Sequence, residues 1–101
     1  MIEGLVAGTV LGDPEARRGK ADSSFVLVKV RAQNTDGELI LVNVIAFSAD
    51  LGAALLELRD GDAVALSGSL APKVWSDKQG NTRPALDMVA TRMLSHTERS
   101  L

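Results

Sequence analysis

The sequence contains no cysteine and very few aromatic residues, and both shortages narrow the possibilities. Without cysteine the chain can form neither disulfide bonds nor thiolate metal sites, which favours a reducing compartment. One tryptophan, two phenylalanines and no tyrosine are all the aromatic residues it has. Because aromatic residues are so scarce, the positions they occupy are informative about function.

Long apolar runs, targeting signals and catalytic motifs are also missing. No stretch approaches the roughly 18 apolar residues that cross a bilayer, and residues 1–4 lack the features of a signal peptide. We therefore expect a cytoplasmic protein without membrane contact. The sequence has no P-loop, GxGxxG or metal-ligand spacing, and its one histidine, His96, lies near the C-terminus. These features predict no enzyme activity, no cofactor, no metal and no small-molecule substrate.

The net charge of −2 argues against indiscriminate binding of duplex DNA through a basic surface. A local basic groove remains possible, because the charges are segregated and the acidic residues fall largely elsewhere in the sequence. The basic residues form three clusters, which are Arg17, Arg18 and Lys20, then Lys29 and Arg31, and finally Lys73, Lys78 and Arg83.

Hydrophobic periodicity predicts five strands, over residues 2–11, 24–32, 38–47, 63–70 and 85–94. A helix is predicted to begin after Ser48, and residues 13–23 read as a polar loop. The order of elements excludes βαβ alternation and matches the five-stranded OB fold, an all-β Greek-key barrel with one helix between strands three and four. We assign residues 1–95 to this domain and residues 96–101 to a short flexible tail.

In an OB barrel the ligand face lies on strands two and three, flanked by the one–two and four–five loops. The basic clusters fall in these places. On strand two, Lys29 and Arg31 share a face, whereas Val26, Val28 and Val30 share the other. Both faces of strand three are largely apolar, so we expect one in the core and the other at a ligand or subunit surface.

The most informative segment is residues 73–83, where Trp75 lies among Lys73, Lys78 and Arg83. Residues 77–81 have the composition of a hairpin turn. Bases can stack on the tryptophan while the cations follow the phosphates, which predicts contact with single-stranded nucleic acid. The alternative is that Trp75 closes the mouth of the barrel. For Phe47, at the end of strand three, a core position and a stacking position both remain open.

The chain also resembles the bacterial single-stranded-DNA-binding proteins over about residues 5–94. The resemblance depends on the order and spacing of several segments, which are GDPEAR (12–17), FVL (25–27), VIAF (44–47), GDAVALSGSL (61–70) and KVWSDKQG (73–80) followed by Arg83. It implies an OB fold that assembles as a homotetramer, or in some relatives a dimer, and wraps single-stranded DNA. Phe47 and Trp75 would occupy base-stacking positions, and Arg17 and Lys73 phosphate-contacting positions.

Three departures from the family pattern bear on these expectations. Leu41 and Val42 stand where the family usually has a tryptophan and a histidine, so one stacking ring and one subunit contact are missing. The long Gly/Pro/Gln-rich linker with an acidic C-terminal tip, which recruits other enzymes in the family, does not follow residue 94. Either the sequence is truncated, or it is a specialised or mobile-element member.

The function that these features predict is sequence-tolerant binding and protection of single-stranded DNA in replication, recombination or repair, in a bacterial nucleoid-associated protein. A primosome-type dimeric OB accessory protein is a second possibility. A structural OB adaptor that binds only protein, with Trp75 buried at a subunit contact, is a third. An RNA chaperone is disfavoured, because the strands lack the aromatic run that such domains use.

Overall fold

The computed structural model describes residues 1–21 and 23–98, which form a closed barrel of five strands and one helix. In chain order the elements are β1 (Ile2–Arg18), β2 (Ser24–Gln33), β3 (Leu39–Ala46), α1 (Ala49–Leu56), β4 (Ala63–Ser76) and β5 (Thr82–Thr97). Around the barrel the order is β1-β2-β3-β5-β4. All neighbouring strands are antiparallel except β3 and β5, which are parallel. The predicted OB fold, with its helix between the third and fourth strands, is confirmed.

The barrel interior is aliphatic. Successive side chains of a strand point to opposite faces, so alternate valines of β2 and β3 enter the core as predicted. The largest fully buried side chains are Leu55, Leu58, Leu66, Met88, Val10, Val30, Val42 and Val44. Within the part of the chain that the structure describes, no aromatic ring belongs to the core cluster. All three aromatic side chains are therefore carried outside the core.

The helix α1 begins where the sequence predicts. The Ser48 hydroxyl accepts a hydrogen bond from the Leu51 backbone N–H at 3.3 Å, and Asp50 places a negative charge in the first turn. Leu51 and Leu55 are buried, as is Leu58 just beyond the helix. The helix packs against β1, β2, β3 and β5, which fixes the end of β3 from which Phe47 projects.

Strand β1 is longer than predicted, and the difference moves the first basic cluster. The sequence suggested that a loop follows Leu11, but β1 continues to Arg18 and pairs again with β2 from Glu15 onward. The register shifts between Leu11 and Glu15, and Gly12 adopts a φ of +76° there. The residues that read as a turn thus form a β-bulge, which bends a strand without ending it.

The β4–β5 hairpin is also longer than predicted at both ends. β4 continues to Ser76 and β5 begins at Thr82, so most of the predicted loop is a two-stranded ribbon. β5 ends at Thr97, and His96, expected in a flexible tail, pairs with Val64. The His96 side chain also contacts a buried residue, because its Nε2 atom lies 2.9 Å from the Oδ2 atom of Asp62. Residues 99–101 of the predicted tail lie outside the described residues.

Candidate nucleic-acid interface

The outward faces of β2, β3, β5 and β4 form one continuous surface. Strand registers arrange its side chains in rows that cross the four strands in this order. The rows are Leu27–Ile45–Val89–Ser69, Lys29–Asn43–Asp87–Ala71 and Arg31–Leu41–Ala85–Lys73. We call this surface the outer face. It carries both strand-two cations and the apolar side of β3, as the alternation of the sequence predicts.

Two adjoining depressions lie along the outer face. The larger, of 820 Å³, lies beside the β1 bulge and includes Gly12, Arg17 and Lys29 in its lining. The smaller, of 330 Å³, lies over β3 and β5 and includes Ile45, Val89 and Asp87. Leu27, Asn43 and Val44 line both, so together they form one open groove across the barrel.

Trp75 lies on the ribbon that extends the outer face. It pairs with Arg83 across the two strands, and it shares its side of β4 with Lys73, two residues earlier. The tryptophan side chain is 43% exposed, so it does not close the barrel mouth. The predicted combination of a ring with flanking cations is present on one face.

The turn at the tip of the ribbon is organised by Asp77. Its Oδ1 atom accepts hydrogen bonds from the backbone N–H groups of Gln79 and Asn81, both at 2.9 Å. Gly80 takes a φ of +81° there, and its N–H donates to the Asp77 carbonyl at 3.0 Å. The hydrogen bond from Asn81, with smaller contributions from Gln79 and Arg83, lowers the pKa of the Asp77 carboxyl below its usual 3.8.

A second aromatic site lies at the opposite end of the outer face. Phe47 is 60% exposed, which resolves the choice left open by the sequence against a core position. The ring of Phe25, on β2, packs against it with centroids 6.2 Å apart and planes inclined by 56°. Phe25 was not among the predicted site residues. Its position on the same face of β2 as Lys29 is the signal that could have identified it.

The predicted cations do not all reach the outer face. Strand alternation and register place four of them there or on its ribbon, which are Lys29, Arg31, Lys73 and Arg83. Arg17 lies beside the outer face on β1, where it pairs with Phe25. Arg18 follows Arg17 in β1 and therefore points to the opposite side of the strand. Lys20 lies in the β1–β2 turn and Lys78 in the ribbon turn, both exposed beyond the strand ends.

Acidic residues accompany these cations more closely than the sequence suggested. Carboxylates lie 2.7 Å from Arg17, 3.6 Å from Lys73 and 3.4 Å from Arg83, contributed by Glu15, Asp87 and Asp77 respectively. The expectation that the acids lie elsewhere is therefore wrong for Glu15 and Asp87. The long β5 strand brings Asp87 onto the outer face, and the long β1 strand brings Glu15 beside it, opposite Leu27. The surface is consequently mixed in charge.

Other classes of site find little support in the described residues. Within residues 1–21 and 23–98, no group of three or more histidine, aspartate or glutamate side chains is arranged to hold a metal ion. The same residues contain no helix that is long and apolar enough to cross a membrane. The outer face remains the principal candidate site.

Comparison with known proteins finds similarity both in sequence and in fold. The chain is 33% identical over 100 residues to the single-stranded DNA-binding protein of Deinococcus radiodurans, an alignment that covers 92% of this chain. It spans about a third, 33%, of that relative's length. No family model matches the chain.

Solved structures of similar fold cover nearly the whole barrel. The mitochondrial single-stranded DNA-binding protein of S. cerevisiae superposes with a TM-score of 0.67 at 16% identity, covering 95% of both chains. The small single-stranded DNA-binding protein of Streptomyces coelicolor superposes with a TM-score of 0.64 at 22% identity, covering 91% of both chains. The single-stranded-DNA-binding domain of a Synechococcus protein superposes with a TM-score of 0.67 at 18% identity, covering 92% of this chain and 93% of that one. The resemblance carried by the sequence motifs is thus confirmed in sequence and in fold.

Proposed function

We propose that this chain is a single-stranded-DNA-binding protein of the bacterial type, which holds its ligand across the outer face with little preference for sequence. The observation that carries the proposal is that all three aromatic side chains lie outside the core, two of them more than 40% exposed. Large apolar side chains left exposed are informative about binding, and bases stack on such rings.

The geometry supports a path for the strand between the two aromatic sites. Trp75 lies on the ribbon at one end of the outer face, and Phe47 with Phe25 at the other. Lys29 and Arg31 lie between them on β2 and are exposed, so they can neutralise phosphates. The groove gives room for bases between these positions.

Binding of this kind protects single-stranded DNA during replication, recombination or repair, without any catalysis by the chain. A bacterial nucleoid-associated location in the cytoplasm follows from that role. The sequence relative and the similar folds, all named as single-stranded DNA-binding proteins, support this proposal.

Assembly into a homo-oligomer, a tetramer or alternatively a dimer, is part of the proposal. Residues 2–8 of β1 pair with β4 on one side, whereas pairing with β2 begins only at Thr9 in the described chain. The other edge of this segment is thus open to a further strand, and Ile2 and Leu5 beside it are 57% and 59% exposed. A second copy of β1 can supply that strand.

Light scattering at several concentrations tests the assembly. The wild type is expected to have twice or four times the mass of one chain, and Leu5→Lys to shift it towards the monomer. Leu56→Lys, on the exposed side of the helix, is a matched control that should not change the mass. A monomeric wild type would show that the assembly proposal is wrong.

Titration with oligothymidines of graded length, followed by Trp75 emission at two salt concentrations, tests the function. We expect quenching that saturates above a minimum length and an affinity that falls as salt rises. Unchanged emission at low salt would contradict DNA binding and favour an adaptor that binds only protein. Tighter binding of a matched RNA oligomer would favour an RNA-binding role.

A further inference from the structure

The smaller part of the groove has the size and the polarity of a pocket for one base. It is lined by apolar side chains of Leu27, Ile45 and Val89, and Asn43 and Asp87 form its polar edge. A flat base can lie against these apolar side chains while the hydrogen-bonding edge of the base faces Asn43 and Asp87. Asp87 is unusual in such a place, because its carboxylate repels phosphate and accepts hydrogen bonds without donating any.

The contacts of Asp87 fix the orientation of its carboxylate. Asn43 Nδ2 donates to Oδ1 at 3.3 Å across the parallel β3–β5 pair, and Lys73 Nζ lies 3.6 Å from Oδ2. An ionised carboxylate offers about four lone-pair positions, two on each oxygen. Each Asp87 oxygen therefore keeps one position open, and the side chain is still 46% exposed.

Two adjacent free acceptors match the base that presents two adjacent donors. Guanine carries N1–H and N2–H₂ side by side on its Watson–Crick edge, whereas adenine and cytosine pair one donor with an acceptor. Thymine has its single N3–H between two carbonyl oxygens. Only guanine can satisfy both open positions of one carboxylate with a bidentate hydrogen bond.

We propose that Asp87, oriented by Asn43 and Lys73, is a guanine-reading residue within an otherwise sequence-tolerant groove. The proposal rests on the proposed function, because it needs a single strand lying across the outer face. It predicts one position of preference along the strand, where the base edge faces the sheet and the phosphates lie away from Asp87. Binding to thymine tracts remains, supported by stacking and by the other cations.

Three oligothymidines of equal length test this, one unsubstituted, one with a central deoxyguanosine and one with deoxyinosine at the same position. Inosine keeps N1–H but lacks the N2 amino group. We expect wild-type protein to bind the guanosine oligomer about tenfold more tightly than the inosine oligomer. Asp87→Asn should remove this preference while retaining or strengthening binding to oligothymidine, because a negative charge is lost.

Asp36→Asn is the matched control, since it removes one negative charge from the exposed β2–β3 turn without touching the groove. It should keep the guanosine preference. Thermal denaturation should find all three proteins equally folded. Equal wild-type affinity for guanosine and inosine, or a preference that survives in Asp87→Asn, would overturn the base reading while leaving DNA binding intact. Failure of the wild type to bind any of the three oligomers would overturn both proposals.

Discussion

Trp75 and Arg83 occupy directly opposed positions on the β4–β5 ribbon. Asp77, in the turn at the ribbon tip, lies beside the same arginine, with its Oδ2 atom 3.4 Å from Arg83 Nε. The turn therefore orients the Arg83 guanidinium, and strand pairing places that residue opposite Trp75. A base that stacks on Trp75 would have a positive charge beside it.

Replacing Trp75 by alanine should weaken binding of oligothymidine by about tenfold or more, because stacking contributes about 1–3 kcal/mol per base. The side chain is outside the core, so the melting temperature should change little. Fluorescence anisotropy of a labelled oligomer measures the affinity without relying on the lost tryptophan. Val74→Ala removes a neighbouring, 73% exposed side chain from the other side of the strand and should bind like the wild type. Equal losses in the two variants would argue against stacking.

Phe47→Ala should weaken binding by a similar factor, and Phe25→Ala by less. Phe25 is partly buried and packs beside Phe47, so its main contribution is to hold the second ring in place. The double variant should therefore lose less affinity than the sum of the two single losses. Leu94→Ala, which removes an exposed side chain of β5, is the control. Additive losses would show that the two rings bind independently.

Much of the fold, and the position of Trp75 among cations outside the core, could be predicted from the sequence. Alternation in β2 and β3 predicts the valine face of the core, whereas the stacking roles of Phe47 and Trp75 stay predictions. The pairing of Phe25 with Phe47 could not be predicted, because it depends on the register between two strands. Register is set by long-range pairing that the sequence pattern specifies only as a face.

The position of Asp87 shows the same limit more clearly. It is far from Lys73 in sequence, and only the length of the β4–β5 ribbon and the parallel β3–β5 pairing bring it beside Lys73 and Asn43.

The prediction of a turn at residues 12–14 was wrong for a local reason. A glycine followed by Asp-Pro is typical of a turn, yet the same φ > 0 freedom also serves a bulge within a continuing strand.

The salt dependence of DNA affinity should distinguish lysines without a carboxylate partner from lysines that already have one. For single strands, the slope of log affinity against log salt is about −0.7 per phosphate neutralised. Lys29→Gln should therefore make the slope shallower by about 0.7. Lys73→Gln should change it by less, because Asp87 lies 3.6 Å from that ammonium and already offsets its charge. Arg92→Gln, on β5 opposite Ser67, is the control and should leave the slope unchanged. Identical changes at Lys29 and Lys73 would contradict the partial neutralisation.

The ribbon turn should lose stability in acid because the Asp77 carboxylate is bonded in its ionised form. Hydrogen bonds lower its pKa in the folded chain below 3.8, so its contribution is complete above that pH. It is lost as the pH falls through the lowered value. Carboxyl chemical shifts should place the Asp77 midpoint below 3.8, and Asp77→Ala should broaden the Trp75 indole N–H signal at neutral pH. A midpoint at or above 3.8 would contradict the turn geometry.

Gly68 and Gly4 face each other in register across β4 and β1, yet alanine should destabilise the protein at Gly68 and have little effect at Gly4. A Cβ at Gly68 would lie 2.1 Å from the Val89 carbonyl oxygen and 2.8 Å from the Ala90 Cα, both backbone atoms of β5. The strand would have to move away from β4, where the register is already irregular.

At Gly4 the new Cβ would meet only the side chain of Leu70, whose Cδ1 atom, 2.9 Å away, is the end of a flexible group that can rotate aside. We therefore expect Gly68→Ala to cost about 1–3 kcal/mol or more, as overpacking does. That corresponds to a fall in melting temperature of about 4–8 °C for each kcal/mol. Gly4→Ala should be close to neutral, because alanine lowers the conformational entropy of the unfolded chain and this offsets the small cost of moving the Leu70 side chain.

Urea denaturation of the wild type and the two variants measures both changes in stability. Similar unfolding midpoints for the two variants would contradict the close approach of β4 and β5. Since Val89 lines the base pocket, any folded Gly68→Ala protein should also bind oligothymidine more weakly, whereas Gly4→Ala should not.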